Sequence, residues 1–451
     1  MTENTWVPLE FLTKAPKADL HVHLDGSLRL STLIDLAKKD GVQLPCYDEA
    51  GLRRTVFRES YRDLPEYLEG FQYTVAVMRS VDNIERISYE FAEDNYEEGV
   101  RYFEVRFAPQ LFATIEAGSE LNIRNTIHAV NRGLNRAKEK YNNLREERLK
   151  AEDSIEENPV GPHYEYGIIV CAMRSFPPAP YYDAFKALHE DLDAERCYGL
   201  ASETLVYTAI KCRDEDGIPV VALDVAGPED GFPNKAHERA FDIAHEKFLN
   251  KTVHAGEGFG PESIFQAINS LHAERIGHGF HLFSADKVTG IVDQTGREDF
   301  VRKLVKVVCD RRLACEVCLT SNLGTMPGLK LEDHAMAKMI EHSVCITLAT
   351  DNRLVSNTNM ANEIFKATET FKLTPKQLRE IVINGIKRSF FHGPYVQKRK
   401  YIRSCMDFYD KLAKEYKLED KYAEWAERNG VAMPNGSIRS RQDSVFSETD
   451  A

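Results

Sequence analysis

Lys17-Ala18-Asp19-Leu20-His21-Val22-His23-Leu24-Asp25-Gly26 is a short apolar run that carries two histidines and ends in Asp-Gly. On an extended strand, residues i and i+2 face the same side, so His21 and His23 project together. One rigid element thereby supplies half of a tetrahedral metal site, and imidazole is a favoured zinc ligand. Two histidines alone also occur on ordinary surfaces, so the rest of the chain decides the reading.

Seven further apolar, β-branched runs follow Ala18–Leu24, each closing on a polar or glycine-rich turn. They are Val100–Phe107, Tyr166–Met173, Val220–Val225, Thr252–Ala255, Arg275–Gly279, Ala314–Leu319 and Val344–Ala349. Helix-like stretches lie between them, among them Asn83–Glu98, Arg124–Lys150 and Pro261–Ser270, the last opening on proline. Strands alternating with helices imply parallel βαβ units. Eight such units predict an α/β fold, a (β/α)8 TIM barrel, whose strands are near-continuously apolar because both faces are buried. The long first interval, Leu30–Ile84, holds helical pieces including Leu64–Met78 and is expected to form lid helices over the barrel mouth. Tyr401–Arg428 is expected to be a C-terminal helical extension. The expected domain layout is 1–400 for the barrel, 401–434 for that extension and 435–451 for a polar, disordered tail. The charged stretch Lys138–Asn158 reads as an extended helix end or a mobile excursion.

The 451 residues are 43% hydrophobic and 29% charged, enough for a large core. A net charge of −13 excludes the clustered positive surface that nucleic-acid binding needs. No basic start precedes an apolar stretch, so no secretory leader is expected. No window approaches a membrane span. Nine scattered cysteines, an odd number, fit reduced thiols and a cytoplasmic location.

Barrel active sites lie at the C-terminal ends of the strands. The first strand end carries His21 and His23, with Asp25 just beyond. The fourth carries Asp224-Val225-Ala226-Gly227-Pro228-Glu229, the fifth His254-Ala255-Gly256-Glu257 and the sixth Gly277-His278-Gly279. The seventh ends in Thr320-Ser321-Asn322 and the eighth in Thr350-Asp351-Asn352. A single strand-end histidine is usually a hydrogen-bonded structural residue. Histidines and acids at four strand ends in barrel order form a candidate constellation. His21, His23, His254 and Asp351 suit zinc with room for a water, and Glu257 and His278 remain beside it as proton carriers.

These stretches, with Glu104-Val105-Arg106-Phe107-Ala108-Pro109 and Cys318-Leu319-Thr320-Ser321-Asn322, resemble the adenosine deaminase family of the amidohydrolase superfamily over about residues 15 to 392. The resemblance implies hydrolytic deamination of adenosine and 2′-deoxyadenosine to inosine and 2′-deoxyinosine, a step of purine salvage. It implies one Zn²⁺ per chain held by His21, His23, His254 and Asp351, with Asp351 also catalytic. It makes Glu257 a protonated acid bonded to purine N1 and His278 the group that orients and helps deprotonate the attacking water. Gly227 would donate its backbone N–H to N3, and Asp25 would meet the ribose 5′-hydroxyl. Leu64, Tyr67 and Phe71 would form an apolar gate, although their spacing equally suits ordinary helix core. The partner expected is a small purine nucleoside, with no nucleic acid and no membrane.

Two features bound this resemblance. The cysteine-ligand deaminases carry Pro-Cys-x-x-Cys, whereas the one Cys-x-x-Cys here, Cys315 and Cys318, lies on a strand with its thiols on opposite faces. The fourth strand has no lysine to bridge a second metal, which favours one. The sequence also departs from the family at Asn352, where many members carry a second aspartate. An amide N–H₂ donates to purine N7 without needing a proton, so adenosine stays compatible while ring selectivity is less constrained. The alternative substrates are adenine, a 5′-modified nucleoside or a futalosine-type nucleoside.

Overall fold

The computed structural model describes residues 5–116, 119–150 and 160–431. Eight parallel strands follow each other around a barrel in chain order: β1 (Lys17–His23), β2 (Val100–Phe107), β3 (Glu165–Met173), β4 (Val220–Ala226), β5 (Asn250–Ala255), β6 (Arg275–His278), β7 (Ala314–Val317) and β8 (Cys345–Leu348). Each pairs with the next in parallel. The ring is drawn together just past β8, where Val22 bridges Asp351. There the His23 amide donates to the Asp351 carbonyl at 2.7 Å, and the Asp351 amide donates to the His21 carbonyl at 2.8 Å. This is the (β/α)8 barrel expected from the eight runs. Every residue of β4, Val220 to Ala226, is buried, as a strand between a packed barrel interior and outer helices must be.

The helices Val81–Glu97, Ile123–Lys150 and Pro261–Asn269 lie where apolar periodicity places them. Ser80 caps the first by accepting from the Asn83 amide at 3.2 Å. The stretch Leu64–Met78 is two short helices, Leu64–Leu68 and Phe71–Val77, rather than one. Asp63 caps the first, accepting from Glu66 N at 2.9 Å. The two helices meet at Glu69-Gly70, where three-residue hydrogen bonds, Glu69 N to Glu66 O and Tyr73 N to Gly70 O at 3.2 Å each, replace the regular helical pattern. The residues just before this segment lie against the segments that follow β7 and β8: Tyr61 N donates to Gly324 O at 3.0 Å and Arg53 Nη1 to Leu354 O at 2.7 Å.

Two C-terminal helices, Tyr395–Glu415 and Leu418–Asn429, pack on the helix Leu9–Lys14. Phe11 meets Tyr409 edge-on at 5.3 Å, and Trp6 meets Tyr422 at 5.4 Å. Residue 400 lies inside the first of these helices, so the 400/401 division falls within a continuous element. Residues 151–158 of the charged stretch and the tail 435–451 lie outside the described residues; Lys138–Lys150 forms the last turns of a helix. No helix among the described residues is long and apolar enough to cross a membrane. All nine cysteines are free.

The helices Val81–Glu97 and Ile123–Lys150 approach most closely at Gly133, where a Cβ would stand 2.3 Å from the Glu85 carbonyl oxygen. Alanine is the better helix former by about 1 kcal/mol, but here it would press on backbone. Gly133→Ala should therefore lower stability by about 1–3 kcal/mol in urea unfolding; a gain would show that the helices separate freely.

Candidate active site

Strand ends place the chemistry. His21 and His23 belong to β1, His254 to β5 and His278 to β6, while Asp351 follows β8. His278 and Asp351 adopt left-handed backbone, φ +60° and +59°, a conformation that side chains other than glycine rarely take. At Asp351 the paired bonds to β1 hold it there.

Four of these side chains converge. His23 Nε2 lies 3.2 Å from His254 Nε2 and 3.4 Å from Asp351 Oδ1, and His21 Nε2 lies 3.5 Å from Asp351 Oδ1. Donors on one tetrahedral zinc with bonds of about 2.0–2.1 Å stand about 3.3–3.4 Å apart. His278 joins the same cluster: ligand atoms of His21, His254, His278 and Asp351 all lie within 4.8 Å of one another.

The protons point away from this centre. His21 Nδ1 is 2.8 Å from Glu316 Oε2, and His254 Nδ1 is 2.9 Å from Asp224 Oδ2. A carboxylate at Nδ1 favours the proton there and a lone pair at Nε2, through a hydrogen bond at His21 and through charge alone at His254, whose Nδ1 lies off hydrogen-bond geometry. His21 Nε2 is buried without a hydrogen-bond partner, whereas the Asn322 N–H₂ at His278 Nδ1 leaves the proton of that neutral ring on Nε2. Burial, foremost, holds the His23, His254 and His278 rings below the usual histidine range, hence neutral. Burial and the Arg106 charge oppose a proton on His21, but Asp351 and Glu316 outweigh them. Burial would raise Asp351, yet His21, His278 and His23 hold its carboxyl well below the ordinary range. Imidazole nitrogens and a carboxylate that face one point could hold a cation, and the donor set fits zinc.

Beneath the histidines runs a buried charge network that the sequence reading left without a role. Arg106 on β2 donates to Asp224, Glu316 and the Leu20 carbonyl at 2.8, 2.8 and 2.6 Å. Arg275 on β6 donates to Glu316 at 2.6 Å and Glu104 at 2.5 Å. Thr252 Oγ1 donates to Glu316 at 2.9 Å. Glu316, on β7, therefore serves two arginines, a threonine and His21. Burial would raise Glu316 and Asp224, but Arg106 with Arg275 in one case and His254 with Arg106 in the other keep both ionised. The available signal was charge in the middle of apolar strand runs, because a buried charge needs a partner.

Glu257, expected to carry a proton, stands beside His278 of this cluster. Glu257 Oε2 is 3.6 Å from His278 Nε2. Burial, then the charges of Asp351 and Glu229, push the Glu257 carboxyl up to about 8. The Asn322 side-chain amide lies 3.4 Å from His278 Nδ1 and orients that ring. Asp25 is buried, its Oδ1 without a partner, and burial raises its carboxyl to about 7. Gly227 follows β4 at φ +102°, a backbone that favours glycine. The gate residues divide. Leu64 and Phe71 are half-buried against the core. Tyr67 is buried, and its hydroxyl bonds Ser356 Oγ at 2.8 Å and accepts from Asn352 Nδ2 at 2.9 Å. The Asn352 amide thus spends its donor on Tyr67, leaving Oδ1 buried and unpartnered.

A barrel with imidazoles and a carboxylate converging at strand ends, beside a buried acid whose carboxyl is raised, suits a metal-dependent hydrolase. The family model for adenosine deaminase matches residues 16–148 and 194–407. The adenosine deaminase of Vibrio atlanticus is 34% identical over 383 residues, covering 85% of this chain and 95% of that protein. That of Clostridium perfringens strain 13 is 31% identical over 393 residues, covering 86% and 98%. Among solved structures, an amidohydrolase from Burkhoderia ambifaria with bound zinc superposes at TM-score 0.68 with 19% identity, covering 92% and 95%. The Arabidopsis N6-mAMP deaminase superposes at 0.64 with 22% identity, covering 88% and 99%. The chain belongs to the adenosine deaminase family and is a hydrolytic deaminase.

Because Glu316 neutralises two buried guanidiniums, Glu316→Gln should cost about 3–5 kcal/mol of stability, the scale for breaking a buried pair. Denaturant unfolding checks this; a change below about 1 kcal/mol, the scale of an exposed ion pair, would show that the network is dispensable.

Proposed function

We propose that the protein deaminates adenosine and 2′-deoxyadenosine to inosine and 2′-deoxyinosine, with one zinc held by His21, His23, His254 and Asp351. The observation that carries this reading is Glu257: a carboxyl raised to about 8 beside His278, at the rim of the converging donor cluster. The zinc-bound barrel from Burkhoderia ambifaria supports the choice of metal.

An aromatic amidine resists water because addition at C6 disrupts the ring. Protonating N1 lets the ring electrons settle there as the C6–O bond forms. A carboxyl serves as that donor only if it keeps its proton near neutral pH, and a desolvated pocket arranges this for Glu257. When bound, zinc supplies Lewis-acid activation of water near neutral pH. His278 orients the water and takes up its proton. The proton held on His278 then passes to the exocyclic amine, C6–N cleaves to release ammonia, and the C6 hydroxyl proton returns to Glu257 as the C6 carbonyl forms. Asp25, buried with an unpartnered oxygen, suits a free 5′-hydroxyl and disfavours a 5′-phosphate by charge. The Gly227 backbone N–H is offered to N3. Asn352 meets N7 once its amide turns so that Tyr67 donates to Oδ1 and Nδ2 faces the base.

The decisive experiment is a substrate panel on metal-analysed protein: adenosine, 2′-deoxyadenosine, adenine and a 5′-thio nucleoside, followed by loss of the adenine absorbance. Turnover of the two nucleosides is expected; no turnover of any adenine nucleoside would end the proposal, and preference for adenine or the 5′-modified compound would move it to the alternative substrates. Glu257→Ala and His278→Ala should each lower kcat by about 10²–10⁴-fold, while His23→Ala should lose metal and activity together.

The pH dependence follows from Glu257. The acid works only while protonated, so activity is present below its pKa and lost as pH rises through it. A bound cation favours the carboxylate, so the alkaline limb of kcat/KM should have its midpoint at or below about 8. A profile flat to pH 10 would remove Glu257 from this role.

A further inference from the structure

Glu257 reaches the site from a turn, not from a strand. Gly256 takes φ +71°, where a Cβ would also stand 2.6 Å from Ile264 Cδ1. The next residues run through Gly258 and Phe259 to the helix Pro261–Asn269. Four consecutive backbone amides in this turn point at one side chain, Glu229, which follows β4. Glu229 Oε1 accepts from Gly256 N at 2.8 Å; Oε2 accepts from Glu257 N at 3.0 Å, Gly258 N at 2.8 Å and Phe259 N at 3.0 Å. The Ser263 hydroxyl donates to Oε1 as a fifth bond. Glu229 is buried. Burial works against its charge, but Arg174, Ser263 and the turn amides keep it ionised. Arg174, just past β3, reaches the same region: Nη2 donates to the His254 carbonyl at 2.6 Å and Nη1 to the Phe232 carbonyl at 2.9 Å.

We propose that Glu229 is a positioning residue for the deamination, holding the Gly256–Phe259 turn so that the Glu257 carboxyl faces the substrate ring. The inference rests on the role assigned to Glu257 above. A carboxylate suits the task because it only accepts, and all five of its partners donate. An amide of the same size presents N–H₂ to a ring of N–H groups, so one side of the turn loses its acceptor. Apart from Glu257 itself, the contacts assigned above to sugar and base lie off this turn, at Asp25, Gly227 and Asn352. Loosening the turn therefore acts on proton delivery more than on binding.

The test compares Glu229→Gln with the parent enzyme. The expected result is a kcat lower by about tenfold to a hundredfold, the scale of a small misplacement of a reacting group. KM should stay within about threefold, and metal content should match the parent. Amide hydrogen exchange should quicken at residues 256–259, a readout independent of activity. In a Glu257→Gln background, the same change at 229 should cost less than about twofold more, because both act through one group. If Glu229→Gln fails to fold, Ser263→Ala removes one donor of the five and should still lower kcat with KM held. Unchanged kcat, a loss matched by loss of metal, or full additivity with Glu257→Gln would overturn the proposal. A parent protein inactive on every adenine nucleoside would instead refute the functional reading, while the exchange result still reports on the turn.

Discussion

Glu316 is the point on which the site depends. Its two oxygens accept from Arg106, Arg275 and Thr252 and hold His21 by Nδ1. Arg106 carries the constraint across the barrel to Asp224, which stands behind His254. Histidines from β1 and β5 are thus aimed by one continuous set of buried charges. Such charges are costly to bury and persist only when every member is paired. The network contributes orientation more than stability: it fixes which nitrogen of each imidazole bears the proton, and so which one is free for a cation.

A second constraint is the join between the first strand and the end of the last. The backbone bonds between β1 and Asp351 complete the barrel and hold Asp351 in its left-handed conformation. The same bonds put its carboxylate beside His21 and His23. Closure and site assembly are therefore one event: donors separated by more than two hundred residues meet only when the barrel is whole. The lid segment adds a third tie, since Tyr67 links the residues after β8 to the helix that begins at Leu64.

Much of this was legible in the chain. The strands are short, buried on both faces and nearly uniform in apolar character, so each run stood out, and the order of strand-end acids and histidines followed from it. The single helix expected over Leu64–Met78 is divided at Glu69-Gly70, where the backbone stays right-handed but three-residue hydrogen bonds replace the regular helical ones. Arg106, Arg275, Glu104 and Glu316 were visible as charges inside apolar runs, but which one pairs with which depends on barrel register. Glu229 was visible only as the acid closing a strand-end motif; its five donors lie 27 to 34 residues further along.

Sequence alone determined the alternation of strands and helices, the residue types at each strand end and the departure at Asn352. These are local properties, set by burial on two faces and by side-chain chemistry. Tertiary structure alone decided that His23 Nε2 stands 3.2 Å from His254 Nε2 and 3.4 Å from Asp351 Oδ1, that Asn352 turns its amide to Tyr67, and that burial beside Asp351 and Glu229 raises the Glu257 carboxyl. Each of these depends on desolvation and on partners from distant strands, and neither exists until the barrel closes.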